Sequence, residues 1–404
     1  MSRYEMLPVE EALAIIKAVV RPLDTQLVPT ANADGRVLSA EISSSENVPP
    51  FRASTVDGFA VLADDSSPSR RVVQEITAGV VGGTRVAHGT AARIMTGAPL
   101  PEGADAVVMI EYTRQENGEV VLDRPVRVGE NIRPIGVDVA EGAVVLRPGT
   151  VLGHAEIGLL MTLGVTEVLC YRRPTVAILS TGDELVEPWE TPPPGGIRDS
   201  NRYALMAAVR EAGGVPISLG TARDDRDLQT RLVQEGVDQA DVLLTSGGVS
   251  VGDRDFIKPA LEDLGKVHFG RIAFRPGMPL TFAELGQKLA FGLPGNPVSS
   301  LVTFEVFVRP ALRTLQGDQN PSRPRVEVEL EHDFRLGGER LEYHRVIARW
   351  QDGRLVAHST GLQLSSRVLS MVGHNALVII PTGDGVVHAG ERLPAILTGP
   401  IENE

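Results

Sequence analysis

Cysteine is nearly absent: Cys170 stands alone in 404 residues, which rules out an intramolecular disulfide and leaves nothing to build a thiolate metal centre. A buried structural thiol is the expectation for it. Long apolar runs are missing as well, so no stretch reads as a membrane span. Met1 to Val20 mixes acidic with apolar residues and has no basic start ahead of an apolar block. It does not read as a signal peptide, and the cytosol is the expected compartment. Concentrated positive charge is lacking too. With a formal net charge of -13 and no Lys/Arg run to overcome it, the chain would repel a phosphate backbone, so nucleic acid is not an expected partner. None of the eight histidines forms a recognisable ligand pair along the chain, which argues against a soft-ligand zinc or iron site.

What is present is glycine and proline, 42 and 28 residues against 4% aromatics, a balance that predicts many turns and short β elements. The length exceeds what one hydrophobic core usually serves, so several domains are expected. Val9, Leu13, Ile16 and Val20 recur at helical spacing between Pro8 and Pro22, predicting an amphipathic helix. From Val48 to Asp138 short β-type runs alternate with Gly-rich turns, as in an inserted β domain. Leu152 to Leu163 is again helical in character and is expected to pack beside the first helix, as the second half of a split domain.

From Pro174 strands and helices alternate. Thr175 to Ser180, Val215 to Leu219, Val242 to Thr245 and Leu289 to Leu293 read as strands; Tyr203 to Ala212, Asp227 to Val237, Arg254 to Leu264 and Pro297 to Leu315 read as helices. Such alternation predicts a mostly parallel sheet covered on both faces, with ligands bound beyond the carboxyl ends of its strands. After Pro321 to Pro324 short alternating strands return, as in a small β-barrel or sandwich. The fold class is therefore α/β plus β, a multi-domain chain with a central three-layer α/β domain, an inserted β domain and a barrel-like C-terminal domain. The boundaries fall at 1–47 with 139–173, 48–138, 174–322 and 323–404.

The densest chemical signal is Thr245-Ser246-Gly247-Gly248-Val249-Ser250-Val251-Gly252-Asp253-Arg254-Asp255, between a strand and a helix. Glycines admit a ligand close to the backbone, and N–H groups at a helix start favour phosphate. Asp255 beside such a cradle suggests a Mg²⁺ bridge, or else a plain helix cap. Ser180-Thr181-Gly182-Asp183-Glu184 places paired carboxylates at the end of the first strand, and Asp224 follows the second. Asp199-Ser200-Asn201 is an N-cap cluster first and a polar substrate contact second. Leu293-Pro294-Gly295-Asn296-Pro297-Val298-Ser299-Ser300 is a further strand-to-helix turn compatible with phosphate, or a proline-led helix start. Arg271 and Arg275 alternate with apolar residues, which places them on one face of a strand, suited to oxyanions.

Together with Ser54 to Gly58, Met95 to Pro99, and Gly129 to Arg133 with Asp138 beyond, these strings resemble the molybdopterin molybdenumtransferase family, which includes the C-terminal part of gephyrin. The match spans nearly the whole chain. The resemblance implies an elongated four-domain homodimer that inserts molybdenum into adenylated molybdopterin and releases AMP, with Mg²⁺ as cofactor. By motif it implies Asp57 and Thr96 as residues contributed across the dimer, Glu184, Asp224 and Asp255 as the acidic residues of the main site, and Asp138 as a further functional acid. It points to Arg345 and Ser365 as holders of molybdate, with Glu184 and Asp255 on the metal. Asp183, Ser200, Asn201, Ser246, Gly247, Gly248, Ser250, Arg271, Arg275, Gly295 and Asn296 complete the substrate contacts. Implied protein partners are a pterin adenylyltransferase and molybdoenzyme maturation proteins. Two rivals remain at this point, a pterin adenylyltransferase and a non-catalytic gephyrin-like scaffold. One departure stands out: where the family has Lys-Pro-Gly-Lys-Pro, this chain reads Arg275-Pro276-Gly277-Met278-Pro279. Either neighbouring arginines compensate for Met278, or the oxyanion is held differently. Val56 is a milder change.

Overall fold

The computed structural model describes residues 4–248 and 256–403. Ser250 and Asp255 lie outside the described residues. Near the N-terminus, helix α1 (Val9–Val19) buries Val9, Ala12 and Ile16, the stripe its periodicity dictates. The spacing finds the helix but not its neighbour. Its buried face enters the core that also holds Val176, Leu205 and Phe307, whereas Leu160 of α2 (His154–Thr162) packs with Val28, Leu38, Val168 and Cys170. The expected pairing of these two helices is therefore replaced by docking of α1 on the α/β layer. Cys170 is buried, and burial pushes its thiol up from the ordinary value.

The inserted segment forms a mixed sheet in the order Ala106–Met109, Gly58–Val61, Thr90–Ile94, Arg70–Ile76, Glu119–Leu122, Thr113–Glu116. Alternate residues feed two cores, Ala60, Ile94 and Val107 on one side and Phe59, Ala91 and Val108 on the other. A side chain at Gly58 would meet the Val108 carbonyl oxygen at 1.8 Å, so only glycine lets the strands Gly58–Val61 and Ala106–Met109 approach.

The central layer contains β1 (Thr175–Thr181), α3 (Asn201–Glu211), β2 (Val215–Ala222), α4 (Arg226–Gln239), β3 (Val242–Ser246), α5 (Ile257–Leu264), β4 (Lys266–Phe269), β5 (Thr281–Leu285), β6 (Lys288–Leu293) and α6 (Pro297–Thr303). The strand order is β2-β1-β3-β6-β5-β4, parallel from β2 to β6 and antiparallel beyond. Val176, Ile178 and Leu244 point to the face covered by α3 and α6, Ala177, Leu179 and Leu243 to the face covered by α4 and α5. Because both faces are covered, the strands read as continuous apolar runs rather than alternating ones. Each fully buried Leu or Ile there contributes about 2 kcal/mol. From β1 the chain runs outward to β2 and then returns to β3 on the opposite side, so the connections diverge at the carboxyl ends of β1 and β3, where open α/β sheets place ligands.

The C-terminal strands β7 (Arg325–Leu330), β8 (Leu341–Gln351), β9 (Arg354–Ser359), β10 (Ala376–Ile380) and β11 (Arg392–Leu397) close into a barrel, because β8 pairs with both β9 and β10. Tyr343, Leu377 and Ile396 face out of it into the central core. The short strand Phe274–Arg275 pairs with the start of β8, tying the barrel to the α/β layer. One expectation fails here. Arg271 and Arg275 do not share a strand face, since Arg271 lies between β4 and Phe274–Arg275 and its carbonyl accepts from the Leu7 N–H at 3.1 Å. The alternation is real, but the Phe274 N–H turns back onto the Ile272 carbonyl at 2.9 Å, so the strand begins only at Phe274.

Candidate active site

A cleft of 570 Å³ opens at the carboxyl ends of β1, β3 and β6. Its floor is backbone. Gly182 follows β1 with φ 147°, Gly247 and Gly248 follow β3 with φ 90° and 66°, and Gly295 follows β6. A methyl group at Gly247 would stand 2.8 Å from the Thr181 carbonyl oxygen, and one at Gly295 3.7 Å from the Gly247 Cα. The contact at Gly295 is an ordinary one, but at Gly247 glycine alone supplies both the left-handed backbone and the space.

Asn201, in the first turn of α3, holds these turns together by donating its amide N–H groups to the Ser246 hydroxyl at 2.8 Å and the Gly295 carbonyl at 2.7 Å. Asp199 does the capping that sequence assigns to its cluster: it accepts the Arg202 backbone N–H at 3.1 Å and the Ser180 hydroxyl at 3.0 Å. Ser200 is exposed and absent from the cleft wall. Asp183 is a structural brace, accepting the Asp224 N–H at 3.0 Å. Asp225, not Asp224, caps α4, through the Leu228 N–H at 2.7 Å. That leaves the Asp224 side chain on the cleft wall, where Gln229 reaches its carboxylate at 3.5 Å.

Glu184 and Asp224 supply carboxylates and Arg275 a cation. Arg275 is fixed from the barrel side, donating to Glu342 at 2.7 Å, while His344 contacts the other carboxylate oxygen at 2.9 Å. Burial pulls the His344 imidazole below its ordinary pKa, so the ring is neutral at pH 7 and Glu342 answers chiefly to Arg275. Met278 does not line the cleft; its sulfur lies 3.6 Å from an Arg271 nitrogen and 3.8 Å from one of Arg340. Two guanidinium groups thus gather where the family motif has a lysine, and Arg340 had no signal in the sequence.

Gln363, Leu364 and Ser365, on the segment between β9 and β10, form the opposite wall. The Ser365 carbonyl accepts the Val298 N–H of α6 at 3.1 Å. Arg345, expected at the oxyanion, is fully buried beneath this wall. Its guanidinium donates to the Ser370 hydroxyl at 3.1 Å and the Leu364 carbonyl at 3.4 Å, and the Arg345 backbone N–H donates to the Gln363 side-chain oxygen at 2.8 Å. Burial alone pulls it down to about 10. It positions the wall rather than facing the cleft.

Asp57, Thr96 and Asp138 stand apart from this cleft. Asp57, just before Gly58–Val61, accepts the Thr96 N–H at 2.7 Å and hydroxyl at 2.9 Å. The Thr96 N–H, then its hydroxyl, holds the Asp57 carboxyl below its ordinary pKa. Asp138 pairs with Arg133. Glu184, Asp224, Gly247, Gly248, Arg275, Gly295, Asn296 and Ser365, far apart in sequence, are all brought to one surface. Thr181, Ser299 and Gln363 also line it; Thr181 and Ser299 lay within motifs singled out by sequence, and Gln363 did not. As hard oxygen donors, Glu184 and Asp224 fit a magnesium ion, which is usually held by one or two carboxylates with substrate phosphate and water.

Family models match the chain in three blocks: the "MoeA N-terminal region (domain I and II)" over residues 7–164, a "probable molybdopterin binding domain" over 177–314, and the "MoeA C-terminal region (domain IV)" over 327–398. A molybdopterin molybdenumtransferase of Bacillus subtilis is 37% identical, across 97% of this chain and 94% of that one. A gephyrin of Dictyostelium discoideum is also 37% identical; the chain aligns along its whole length but spans 64% of that protein. The crystal structure of a molybdopterin biosynthesis moeA protein from Pyrococcus horikoshii superposes with a TM-score of 0.83 at 30% identity, covering 97% of this chain and 100% of that one. With such identity along nearly its full length, and a cleft built from the turns that carry the matching motifs, the chain belongs to the molybdopterin molybdenumtransferase family.

Proposed function

We propose that this chain transfers molybdenum from molybdate to adenylated molybdopterin, releasing AMP, as a cytosolic homodimer that requires Mg²⁺. The observation that carries the reading is the convergence, in one cleft, of a glycine floor suited to phosphate with Glu184 and Asp224 on one wall and Arg275 on another. Backbone N–H groups of the turns after β3 and β6 hold the diphosphate that links pterin to AMP. Glu184 and Asp224 would hold magnesium against it, and the bound ion would neutralise charge on the leaving phosphate. Arg275, kept in place by Glu342, and Ser365 orient the molybdate. Asn201 keeps the floor in shape. Asp57 and Thr96 reach the cleft of a second copy, as the family resemblance implies.

The test is to incubate the purified chain with adenylated molybdopterin, Mg²⁺ and molybdate, following AMP and the reconstitution of a cofactor-free molybdoenzyme. Glu184→Gln with Asp224→Asn is expected to slow AMP release by about 100-fold or more while leaving the fold intact. Wild-type-like release by that double variant would remove the assignment of the acidic wall. No AMP release by the wild-type chain would overturn the activity itself and revive the scaffold reading.

A further inference from the structure

The C-terminal barrel carries a second gathering of ligand-type side chains. β7 and β9 run parallel with Leu330 beside Ala357, and one step further the Glu331 N–H donates to the Ala357 carbonyl at 3.2 Å. This brings Glu331 and His332, at the end of β7, against His358 of β9. The His358 Nδ1 lies 2.8 Å from the Glu331 Oε2 and 3.3 Å from the His332 Nε2, and the two rings meet edge to face with centroids 5.0 Å apart. The three ligand atoms lie within 4.8 Å of one another, the one such trio among the described residues.

An imidazole nitrogen carries either one proton or one lone pair. The His358 Nδ1 therefore has a single proton at most to share between a carboxylate oxygen and a facing imidazole nitrogen. The three groups converge with more lone pairs than protons, a demand that a cation meets. Tetrahedral zinc, with bonds of about 2.0–2.1 Å, sets its ligand atoms about 3.3–3.4 Å apart, close to the spacing of the two imidazole nitrogens. Arg349 donates to the other oxygen of Glu331 at 2.7 Å, orienting the carboxylate and leaving Oε2 for a ligand. The His358 side chain is 45% exposed and His332 is exposed, so an ion can reach the trio from solvent and keep water in its remaining position.

We propose that Glu331, His332 and His358 form a surface site for one borderline divalent transition-metal ion, zinc in type, separate from the cleft. Two imidazoles and one carboxylate select such an ion over magnesium, which prefers oxygen donors. Bound there, it would clamp the turn after β7 onto β9. Sequence gives no hint of the site, because His332 follows β7 while His358 lies on β9, and only the parallel register of the two strands unites them.

The test is equilibrium dialysis of the untagged, chelator-treated chain against Zn²⁺, with protein-bound zinc measured directly. The wild type and Glu184→Gln, whose change lies in the cleft, should each retain the barrel equivalent of zinc. His332→Ala, His358→Ala and Glu331→Gln should each lose it, with far-UV circular dichroism unchanged. Should His358→Ala misfold, His332→Ala carries the test, since its side chain is exposed. Absence of zinc uptake by the wild type at micromolar free metal, or equal uptake by wild type and His332→Ala, overturns the site. Neither outcome touches the assignment of the cleft, which is read from AMP release.

Discussion

Arg275 illustrates how a cleft residue depends on a partner that sequence does not announce. Its motif suggests an anion contact, and the structure puts it on the cleft wall, 60% exposed, with one guanidinium nitrogen on a nearly buried Glu342. Glu342 sits at the start of a strand whose residues alternate inward and outward, with nothing in the string Leu341-Glu342-Tyr343 to mark it as functional. A charge-assisted hydrogen bond is worth roughly 1.5–3 kcal/mol. Arg275→Ala should therefore raise the molybdate concentration for half-maximal AMP release by roughly 10- to 100-fold, and Arg275→Lys should recover part of this, since the charge returns without the fork. A titration of molybdate in the AMP-release assay checks it; equal half-saturation for wild type and Arg275→Ala would show that the cation does not meet the oxyanion. Asp224 and Asp225 teach the complementary lesson. Either could cap α4 on spacing alone, and only the N–H geometry at Asp225 shows which carboxylate is left for the cleft.

Among the elements, the strands β1, β2, β3 and β6 were legible because each is an apolar run long enough for a strand and bounded by turn residues. The antiparallel pair β4 and β5 was not. Lys266-Val267-His268-Phe269 and Thr281-Phe282-Ala283-Glu284-Leu285 are short and mixed with polar residues, and the loop between them leaves the sheet to reach the barrel. Among the C-terminal strands β7, β8, β10 and β11 were legible, as was the barrel-like character of the domain, but not β9 or the pairing of β8 on both edges that closes the barrel. The glycine turns were the most legible feature, and their physics yields a prediction. Gly247 has φ 90° and a neighbour, the Thr181 carbonyl, with no freedom to retreat. Gly247→Ala should cost about 1–3 kcal/mol from backbone strain and contact together and should reduce AMP release, because any relief moves the phosphate floor. Gly286→Ala, at φ 67° with open space around it, is the control for backbone strain alone. Thermal melts of the two variants check this, and an equal loss in both would mean that the close approach at Gly247 carries no weight.

The separate cores are held together by a few charged joints as well as by shared apolar surface. Arg172, just beyond the strand Glu167–Tyr171, donates to both oxygens of Asp241 at 2.6 Å, and Asp241 accepts the Thr175 N–H and hydroxyl at 2.8 Å each. Burial pushes the Asp241 carboxyl up, but Arg172 and Thr175 more than offset it, so its pKa lies below the ordinary 3.8. A depressed carboxyl contributes stability that is present above the unfolded-state pKa and is lost as pH falls through the folded one. Asp241→Asn should thus lower stability by about 2 kcal/mol at pH 7, a value below that of a fully buried pair because Arg172 is partly exposed and keeps Asp24. The gap between the two melting temperatures should narrow as pH drops below about 4. A gap that stays constant from pH 7 to pH 3 would show that this joint is not ionised in the way its contacts imply.

The proposed sharing of the site between two copies sets up the last expectation. Asp57 and Thr96 hold each other at one end of the inserted sheet, with the Asp57 carboxyl ionised and exposed, yet neither lines the cleft of its own chain. The resemblance implies that they act on a second copy, and a two-fold dimer repeats any such contact symmetrically. On that reading, Asp57→Ala would damage only the donated half of each site, and Glu184→Gln only the receiving half. Dimers mixed from the two variants then contain one site with both lesions and one with neither. If subunits exchange at random, half of the dimers are mixed and half of their sites are intact, so activity should return to about a quarter of wild type from two nearly inactive parents. Unfolding and refolding the variants together, then measuring AMP release, tests this. Recovery excludes a site completed within one chain. Failure to recover, with mixed dimers demonstrated by a tag on one variant, would place Asp57 and Glu184 in the same half-site and require Asp57 to reach the cleft of its own chain.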